Sequence, residues 1–363
     1  MTTAWTSEHI ERLGRAALPR LPKLDASQFQ RPRPDFYYWD MWPVQNRDGF
    51  IARICRRELW MILVAPDDGN PEGRHFKAKI HLLERDGEGW TDLGPLLPDF
   101  SAPFEREWSG SAIWHDGRCT LWFTGAGLAE NPGGYQQALF ETKAGTDADG
   151  LPCEWSRPRP ILTDLTSDYI AADAHEGEAG KIKAFRDPAY FRDPDSGTEY
   201  LVFTASSPAG DSEFTGSVGL AERSDGDWKL LPPLIHAGRV NNELERAHVV
   251  YRNGKYLVFW ATQSSTFAPA FRHAPTGLYG MIADSLLGPY KPLNGSGLVL
   301  SNPLERPSQT YSWSVTRELL VSSFVETITQ DQGDFAGAPA PLLRLSVDTG
   351  AATAELAEMA YSR

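Results

Sequence analysis

Short apolar segments, separated by turn-forming residues, make up most of this chain. The apolar runs are rich in β-branched and aromatic residues, and Gly, Pro, Asn or Asp flank them, which is typical of β-strands. The clearest predicted strands are Leu59–Ala65, Lys77–Leu83, Thr120–Thr124, Tyr200–Thr204, Lys255–Ala261, Leu278–Ala283 and Leu319–Val325. The clearest helical window is Ser7–Leu18, with Ser7 as its N-cap and Pro19 as its stop. The pattern predicts an all-β fold that follows one short helix.

Three segments of the chain resemble one another: His115–Thr124, Asp195–Thr204 and Arg252–Trp260. Each begins with a Gly-containing tight turn and continues as an apolar strand, so each is the second half of a β-hairpin. A polar or aromatic cluster precedes each turn at a constant distance. With the turn at Asp48-Gly49 as a fourth, the residues eight positions before a turn are Asp40, Trp108, Asp187 and Glu245. A fifth, weaker copy of the pattern is Thr310–Trp313, before the strand Leu319–Val325.

The equal distance to the turn places these clusters at the same end of equivalent strands. Radial repetition of such sheets is the architecture of a β-propeller, in which the innermost strands converge on one mouth of a central channel. We therefore predict a five-bladed β-propeller over residues 31–363, with an N-terminal helical segment, residues 1–30, packed on it. A double-sheet jelly roll is the competing interpretation.

The charge balance narrows the range of partners. Lys and Arg number 35 and Asp and Glu 48, so the formal net charge is −13. Nucleic acids and anionic membranes both require clustered basic charge, and we therefore expect neither as a partner. The N-terminus lacks the apolar core of a signal peptide, and no segment reaches the ~18 apolar residues of a membrane span. The expected location is cytoplasmic, with signal-independent export left open.

Cysteine usage indicates neither a disulfide framework nor a zinc site. The three cysteines, Cys55, Cys119 and Cys153, are far apart in the sequence, and none belongs to a Cys-x-x-Cys pair. The aromatic content, 11% of residues with 12 Trp, excludes a disordered chain because it provides ample surface to bury.

Three carboxylates occupy the repeated position: Asp40, Asp187 and Glu245. One such residue alone is more often a turn-former or a paired surface charge, but three at one register, beside Trp39 and Trp108, indicate a site. Carbohydrate sites combine aromatic rings, which stack on sugar faces, with carboxylates that bind hydroxyls. Two carboxyl groups across a glycosidic bond are sufficient for its hydrolysis, and a third can stabilise the oxocarbenium-like transition state.

Two arginines adjoin these carboxylates in the sequence. Arg186 precedes Asp187 and Arg246 follows Glu245. Such guanidinium groups can keep carboxylates ionised and orient them. The alternative for each arginine is an ordinary surface ion pair.

Four ordered motifs resemble glycoside hydrolase family 68, the family of levansucrases, inulosucrases and bacterial β-fructofuranosidases. They are Trp39-Asp40-Met41-Trp42-Pro43, Glu107-Trp108-Ser109-Gly110-Ser111, Arg186-Asp187-Pro188 and Glu243-Leu244-Glu245-Arg246. The string Thr310-Tyr311-Ser312 and the segment from Gly288 to Leu300 are further matches, so the resemblance extends from about residue 36 to residue 345.

The resemblance implies a five-bladed propeller and a retaining mechanism with a covalent fructosyl-enzyme. Asp40 is then the nucleophile, Glu245 the general acid/base, and Asp187 the transition-state stabiliser. The fructosyl subsite implied by the family motifs contains Trp39, Trp108, Ser109, Arg186, Glu243, Arg246 and Tyr311. The expected partner is a small β-fructoside such as sucrose, and no cofactor is expected.

The chain departs from the family pattern on the leaving-group side. An arginine that the family usually carries after the strand following the acid/base is absent, and we place Ser264 at that position. Trp313 follows the Thr-Tyr-Ser motif where a His is common, and it is predicted to offer a stacking face to the aglycone. Calcium-binding members carry Asp where this chain has Asn242 and Lys181, so no metal site is expected.

These departures predict hydrolysis or short transfer products rather than a high-molecular-weight polymer. A leaving-group subsite without the arginine binds incoming sugar weakly, and water then competes better for the fructosyl-enzyme. Two other functions share parts of the pattern. A five-bladed propeller acting on arabinofuranosides has the same carboxylate triad, and a carbohydrate-binding propeller without turnover has the same fold.

Overall fold

β-Strands form nearly all the regular structure of the computed structural model, which describes residues 2–15, 18–87, 89–100, 102–128, 134–172, 181, 183–329 and 335–360. Hydrogen bonds join the strands into four sheets, and the ten-stranded sheet consists of two antiparallel meanders. A short parallel pairing links these two meanders, Val44–Gln45 against Ala112–Ile113. The chain therefore folds into five successive meanders, here called units 1 to 5. The all-β fold class predicted from the sequence is confirmed.

The N-terminal segment is less helical than predicted. Its elements are β1 (Thr3–Ala4), α1 (Ser7–Glu11) and two 3-10 turns (Arg12–Arg15 and Ala26–Gln28). The N-cap of α1 is Thr6 rather than Ser7, and the helix ends at Glu11 rather than Leu18. Gly14 in the predicted window disfavours continuation as an α-helix. Ala16 and Ala17 lie outside the described residues.

Units 1 and 2 form the ten-stranded sheet. The strands of unit 1 are β2 (Phe36–Gln45), β3 (Arg53–Ile54), β4 (Arg57–Pro66), β5 (Lys79–Asp86) and β6 (Gly89–Pro95). A 3-10 segment, Pro71–Phe76, connects β4 to β5. The strands of unit 2 are β7 (Phe104–His115), β8 (Arg118–Leu128), β9 (Gln137–Thr146), β10 (Pro152–Cys153) and β11 (Arg159–Ile161).

Units 3, 4 and 5 each form a separate sheet. The strands of unit 3 are β12 (Phe185–Arg192), β13 (Glu199–Ser206), β14 (Gly216–Ser224) and β15 (Asp227–His236). The strands of unit 4 are β16 (Glu245–Arg252), β17 (Lys255–Thr262), β18 (Gly277–Ala283), β19 (Lys291–Pro292) and β20 (Leu298–Ser301). The strands of unit 5 are β21 (Thr310–Val315), β22 (Leu320–Thr327), β23 (Phe335–Pro339), β24 (Leu342–Asp348) and β25 (Thr353–Ala360). Unit 4 also contains three 3-10 turns, Ser264–Thr266, Pro269–Phe271 and Leu293–Gly295.

The first strands of the units lie side by side. β2 contacts β7, β7 contacts β12, β12 contacts β16 and β16 contacts β21, while β21 also contacts β2. Each first strand pairs antiparallel with the next long strand of its own unit. Consequently the start of every first strand and the end of every second strand lie at one end of the molecule.

The N-terminal segment packs against units 3 and 4. β1 pairs in parallel with β15, at Thr3 with Ile235 and Ala4 with His236. The Trp5 ring is buried, with its centroid 5.2 Å from that of Trp260, and its Nε1 donates to a backbone carbonyl of unit 4 at 2.9 Å. This segment therefore contributes to the core that the two units share.

The cysteines are free thiols in different environments, with Cys119 buried and Cys55 exposed. Within the residues that the structure describes, no helix combines the length and apolar character required to span a bilayer.

Candidate active site

A β-bulge interrupts the first strand of every unit. The register with the second strand shifts between Trp39 and Met41, Trp108 and Gly110, Arg186 and Ala189, Glu245 and His248, and Tyr311 and Ser314. Four bulges contain a residue in the left-handed region: Asp40 (φ 38°), Asp187 (φ 59°), Arg246 (φ 50°) and Ser312 (φ 59°). Bulges re-aim side chains, and left-handed non-glycine residues are concentrated at functional sites. The repeated backbone distortion therefore marks the place where the five strands present side chains to one another.

The bulges correct the predicted register of one carboxylate. Asp40 and Asp187 are the left-handed residues of their bulges, whereas in unit 4 that residue is Arg246, and Glu245 precedes it. The equal spacing to the turns is misleading because the turns differ in length. In unit 3, Arg192 pairs with Glu199 across a six-residue turn, whereas in unit 4 a two-residue turn follows Arg252.

One cavity at the strand-start end brings most of the predicted residues together. The predicted residues that line it are Trp39, Asp40, Trp108, Ser109, Arg186, Asp187, Glu245, Arg246 and Tyr311. All three carboxylates of the predicted triad thus face a common space, although they come from three different units.

Asp40 is fixed by a neighbouring unit. The hydroxyl Oγ of Ser109 donates to Asp40 Oδ2 at 2.5 Å, across the contact between β2 and β7. The flanking indoles are also held in place: Trp108 Nε1 donates to the backbone carbonyl of His75 at 3.1 Å, and the Trp39 ring lies 5.9 Å from the His75 ring. The carboxylate and two apolar ring faces are therefore preorganised side by side.

Glu245 receives hydrogen bonds from two sides. Arg186 Nη2 donates to Glu245 Oε1 at 2.8 Å, and it also donates to Glu243. The Tyr311 hydroxyl donates to Glu245 Oε2. Burial, with the nearby carboxylates, raises the pKa of Tyr311 well above its ordinary value, so this hydroxyl stays a donor. Both oxygens of Glu245 are thus oriented by neighbouring units.

Asp187 is the most enclosed of the three carboxylates. Thr204 Oγ1 donates to Asp187 Oδ2 at 2.8 Å, and the Asp187 backbone N–H donates to Thr124 Oγ1 at 2.8 Å. Burial raises the pKa of Asp187 to about 6, with Glu245 adding to the shift and Arg186 opposing it. Loss of hydration in the buried site is the main physical cause of this shift, and the neighbouring carboxylates add to it.

Arg246 connects three units beneath the cavity. Its Nη1 donates to the backbone oxygen and to Oγ of Ser312, both at 3.0 Å, and its Nη2 donates to the Met41 carbonyl at 3.0 Å. The guanidinium carbon lies 5.7 Å from the centre of the Trp42 ring. Arg246 therefore braces the bulges of units 1 and 5 as well as lining the cavity.

His248 holds the bulge that carries Glu245. Its Nδ1 contacts the Arg246 carbonyl at 2.8 Å, and the Val315 backbone N–H donates to its Nε2 at 2.8 Å. Nε2 must be an acceptor, so Nδ1 carries the proton and donates. Burial lowers the pKa of His248 to about 4, which keeps the ring neutral and this arrangement intact near neutral pH.

Three predicted residues do not line the cavity: Glu243, Ser264 and Trp313. Glu243 lies behind it as a buried partner of Arg186. Ser264 was assigned to the leaving-group side, but its neighbour Gln263 faces the cavity instead, and the Ser264 backbone N–H donates to Thr276 Oγ1. The strand β17 ends at Thr262, so the first residue of the following turn, Gln263, occupies the rim.

The prediction that Trp313 offers a stacking face is wrong. Trp313 is fully buried in the core, with its ring centroid 5.8 Å from that of Tyr311. The bulge directs the Ser312 side chain into the cavity, and the Trp313 side chain that follows points into the hydrophobic core instead. Arg272, in the segment after β17, is exposed and does not line the cavity, so it does not take the place of the missing arginine.

Four polar or charged lining residues lie outside the sequence motifs and were missed: Arg74, His75, Gln263 and Glu326. Arg74 and His75 belong to the 3-10 segment after β4, Gln263 follows β17, and Glu326 lies at the end of β22. All of them come where the second strand of a unit ends. The meander topology could have indicated them, because the second strand returns to the end at which the first strand starts.

Asn242 and Lys181 occupy the positions at which calcium-binding members of the family carry Asp, and neither supplies a carboxylate. Asn242 is buried, and its Oδ1 accepts from the Thr215 backbone N–H at 3.2 Å, while Lys181 is exposed. Among the described residues, no group of three or more His, Cys, Asp or Glu side chains is arranged to hold a metal ion.

Over nearly its whole length, the chain is similar in sequence and in structure to one group of known enzymes. The family model for levansucrase/invertase, glycoside hydrolase family 68, matches residues 1–222 and 210–362. The levansucrase of Rahnella aquatilis is 30% identical over 375 aligned positions, covering 89% of this chain and 87% of that protein. The structure of an inulosucrase from Halalkalicoccus jeotgali bound to kestose gives a TM-score of 0.88 at 35% identity, covering 99% of this chain and 96% of that one. Bacillus subtilis levansucrase has the same fold, with a TM-score of 0.82 at 22% identity, covering 100% of this chain and 97% of that one.

Proposed function

Because this chain belongs to glycoside hydrolase family 68 and is therefore an enzyme, we propose that it is a retaining β-fructofuranosidase or fructosyltransferase acting on sucrose or a related β-fructoside. The observation that carries this proposal is the convergence of Asp40, Asp187 and Glu245 on one cavity. Two hydrogen-bonded and differently surrounded carboxyl groups at a glycosidic bond are the requirement for double displacement.

In the first step, the Asp40 carboxylate attacks the anomeric carbon of the fructosyl unit. The bond from that carbon to the leaving oxygen breaks, and Glu245 gives its proton to that oxygen. Ser109 keeps Asp40 aimed, because its hydroxyl donates to the oxygen that does not attack. Asp187 faces the positive charge that develops on the fructosyl ring and stabilises it.

In the second step, water or a sugar hydroxyl attacks the same carbon. The ester bond to Asp40 breaks, and Glu245 takes the proton of the attacking hydroxyl. Arg186 and Tyr311 orient Glu245 for both transfers. Nη1 of Arg186 is buried and has no hydrogen-bond partner in the part of the chain that the structure describes, so it is left to donate to a substrate oxygen.

The proposed product spectrum is hydrolysis and short transfer products. Gln263 stands at the rim where an arginine would bind the leaving sugar, and a neutral amide forms weaker hydrogen bonds than a guanidinium. Incoming sugars are therefore held weakly, and water reaches the fructosyl-enzyme more often than in a polymer-forming relative.

The proposed architecture for this chemistry is a closed five-bladed propeller over residues 31–363, with the N-terminal segment, residues 1–30, packed on it. What supports closure is the succession of contacts among the first strands, from β2 through β7, β12, β16 and β21, together with the contact of β21 with β2. A crystal structure in which β21 and β2 do not pack side by side would contradict this proposal.

The test is incubation with sucrose, followed by separate quantification of glucose, fructose, oligosaccharides and polymer. We expect glucose release with free fructose and short oligosaccharides. In the presence of methanol, a retaining enzyme yields the methyl β-fructoside, and the α-anomer would contradict retention. No glucose release, or turnover of an arabinofuranoside instead, would refute the proposed substrate, and abundant polymer would refute the proposed product spectrum.

A further inference from the structure

The cavity has a floor and a mouth that differ in composition. Asp187 and Arg246 line both this cavity and a second one farther along the first strands, so they define the floor, together with Asp40, which lies in the corresponding bulge of unit 1. Glu326 and Arg74 line the first cavity but not the second, and both interact electrostatically with Glu72, whose side chain is 92% exposed, so they lie toward the mouth. A fructosyl unit attached to Asp40 occupies the floor, and the Arg74–Glu326 wall is close to it, because both wall residues interact electrostatically with Asp40.

The arginine of this wall is rigid. Arg74 is only 8% exposed, its guanidinium carbon lies 4.3 Å from the centre of the Phe335 ring, and its Nη1 donates to the Pro71 carbonyl at 2.7 Å. Its Nε is buried and without a hydrogen-bond partner among the described residues. Arg74 is therefore held as a fixed positive charge beside the cavity.

The carboxyl of Glu326 has unused hydrogen-bonding capacity. It lines the cavity at the end of β22 and is half-buried, and the structure gives its side chain no hydrogen bond within the described residues. Its backbone is fixed, since the Glu326 N–H donates to the Gln309 carbonyl at 2.9 Å. A carboxyl that faces a sugar-sized cavity with free oxygens is suited to bind hydroxyl groups.

We propose that Glu326, held beside Arg74, binds hydroxyl groups of the leaving sugar and of the acceptor sugar, and thereby sets the partition of the fructosyl-enzyme between sugar and water. This inference rests on the proposed function and deepens it. When an acceptor bound to Glu326 attacks, a bond forms between its oxygen and the anomeric carbon, the bond to Asp40 breaks, and the hydroxyl proton goes to Glu245. A water molecule needs no such wall, so hydrolysis depends on it less than transfer does.

The charge state of Glu326 adds a second observable. Burial raises the pKa of Glu326 to about 7, with Arg74 opposing and the carboxylates of Glu72, Glu245 and Asp40 adding. These groups come from the 3-10 segment, β16 and β2, which pack around it. The neighbouring His75 stays neutral, because burial lowers its pKa to about 3. The charged form of Glu326, which binds hydroxyls more strongly, is therefore gained as pH rises through about 7.

The experiment measures the ratio of transferred to free fructose at high sucrose concentration. Glu326→Leu is expected to lower this ratio about tenfold, the loss of one hydrogen bond to a charged group. Glu326→Gln keeps hydroxyl binding and should stay within about threefold of the wild type. Glu305→Leu is the matched control, since Glu305 is exposed and pairs only on the surface with Lys23 at 3.2 Å, and it should change nothing.

The pH dependence keeps the proposal testable even if the leucine variant folds poorly. In the wild type the ratio should rise about threefold or more between about pH 6 and about pH 8, whereas in Glu326→Gln it should stay flat. An unchanged ratio in Glu326→Leu, or the same pH dependence in Glu326→Gln, would overturn the inference. A wild type that releases no glucose from sucrose would instead overturn the proposed function, so the two failures are distinguishable.

Discussion

The floor and the wall of the cavity are built differently. Floor residues such as Asp40, Asp187 and Arg246 lie in bulges of first strands and form hydrogen bonds to other units. Wall residues such as Arg74 and Gln263 lie in turns that follow second strands, and their backbone contacts are local. A strained, cross-braced floor tolerates little change, whereas a wall made of turns can vary without disturbing the sheets. The difference predicts that floor substitutions abolish chemistry and wall substitutions alter specificity.

The largest effect is expected for the two reacting carboxyls. Asp40→Asn and Glu245→Gln should each lower kcat by about 10³- to 10⁵-fold, because each removes one half of the double displacement. Asp48→Asn is the control, since Asp48 is an exposed carboxylate in the turn after the same first strand as Asp40. Steady-state kinetics on sucrose, with circular dichroism to check folding, would measure this. Near-wild-type turnover in either variant would exclude that residue from the proposed double displacement.

The second effect concerns pH. Because Asp187 must be ionised to bind fructosyl hydroxyls and its pKa is about 6, kcat/KM should fall about tenfold for each pH unit below that value. Thr204→Val removes the donor to Asp187 and should move this acid limb to higher pH, whereas Thr204→Ser should leave it in place. An acid limb that does not respond to Thr204→Val would show that another group controls it.

The ionisation of Asp187 also affects the free energy of unfolding. Folded Asp187 keeps its proton to about pH 6, whereas the ordinary value is 3.8. The folded protein thus binds more protons in this window, and this carboxyl lowers the free energy of unfolding as pH rises from about 4 to about 6. Urea unfolding of the wild type and of Asp187→Asn across that range would isolate the contribution.

His248 tests whether cross-bracing is what makes the floor rigid. His248→Phe leaves the Arg246 carbonyl and the Val315 N–H without their partner, so the free energy of unfolding should fall by about 2–4 kcal/mol. Loosening of the bulge should also lower kcat about tenfold with little change in KM, because Glu245 is displaced. His115→Phe, at a half-exposed histidine at the end of β7, should leave both quantities unchanged. Loss of stability with unchanged kcat would mean that His248 does not position Glu245.

A smaller effect is expected at the wall. Gln263→Arg should raise the ratio of transfer to hydrolysis about fivefold, since a guanidinium at the rim binds sugar hydroxyls more strongly. Ser264→Arg should leave the ratio unchanged, because Ser264 does not line the cavity. Product analysis at high sucrose concentration compares the two variants. A larger increase of the ratio in Ser264→Arg than in Gln263→Arg would show that Ser264, and not Gln263, faces the leaving sugar.

The smallest expected effect is that of chelation. Asn242 and Lys181 supply no carboxylates where calcium-binding relatives have them, and calcium prefers several hard oxygen ligands. Activity and Tm should therefore be the same before and after exhaustive treatment with EDTA. A drop in Tm that calcium reverses would show that a metal braces the fold.

Much of the fold could be predicted from alternating strands and recurring turns. The predicted strands Leu59–Ala65, Tyr200–Thr204 and Lys255–Ala261 all lie within strands of the structure, because local apolar runs and turn residues determine them. The N-terminal helix was overestimated, since propensity over a short window is weak and Trp5 and β1 hold that segment by packing instead. Counting residues to a turn misplaced Glu245 by one position, because turn length is not constant among the units.

The sequence by itself determined which residues stand at the starts of the first strands, and with them the carboxylate triad, Ser109, Arg186 and Tyr311. That was possible because strand, turn and motif are local and repeat in order along the chain. Only the tertiary structure decided that Trp313 is core, that Gln263 replaces Ser264, and that Arg74 and Glu326 face the cavity. Those outcomes depend on where a bulge rotates a side chain and on which turns meet across separate units, and both are set by packing between residues far apart in sequence.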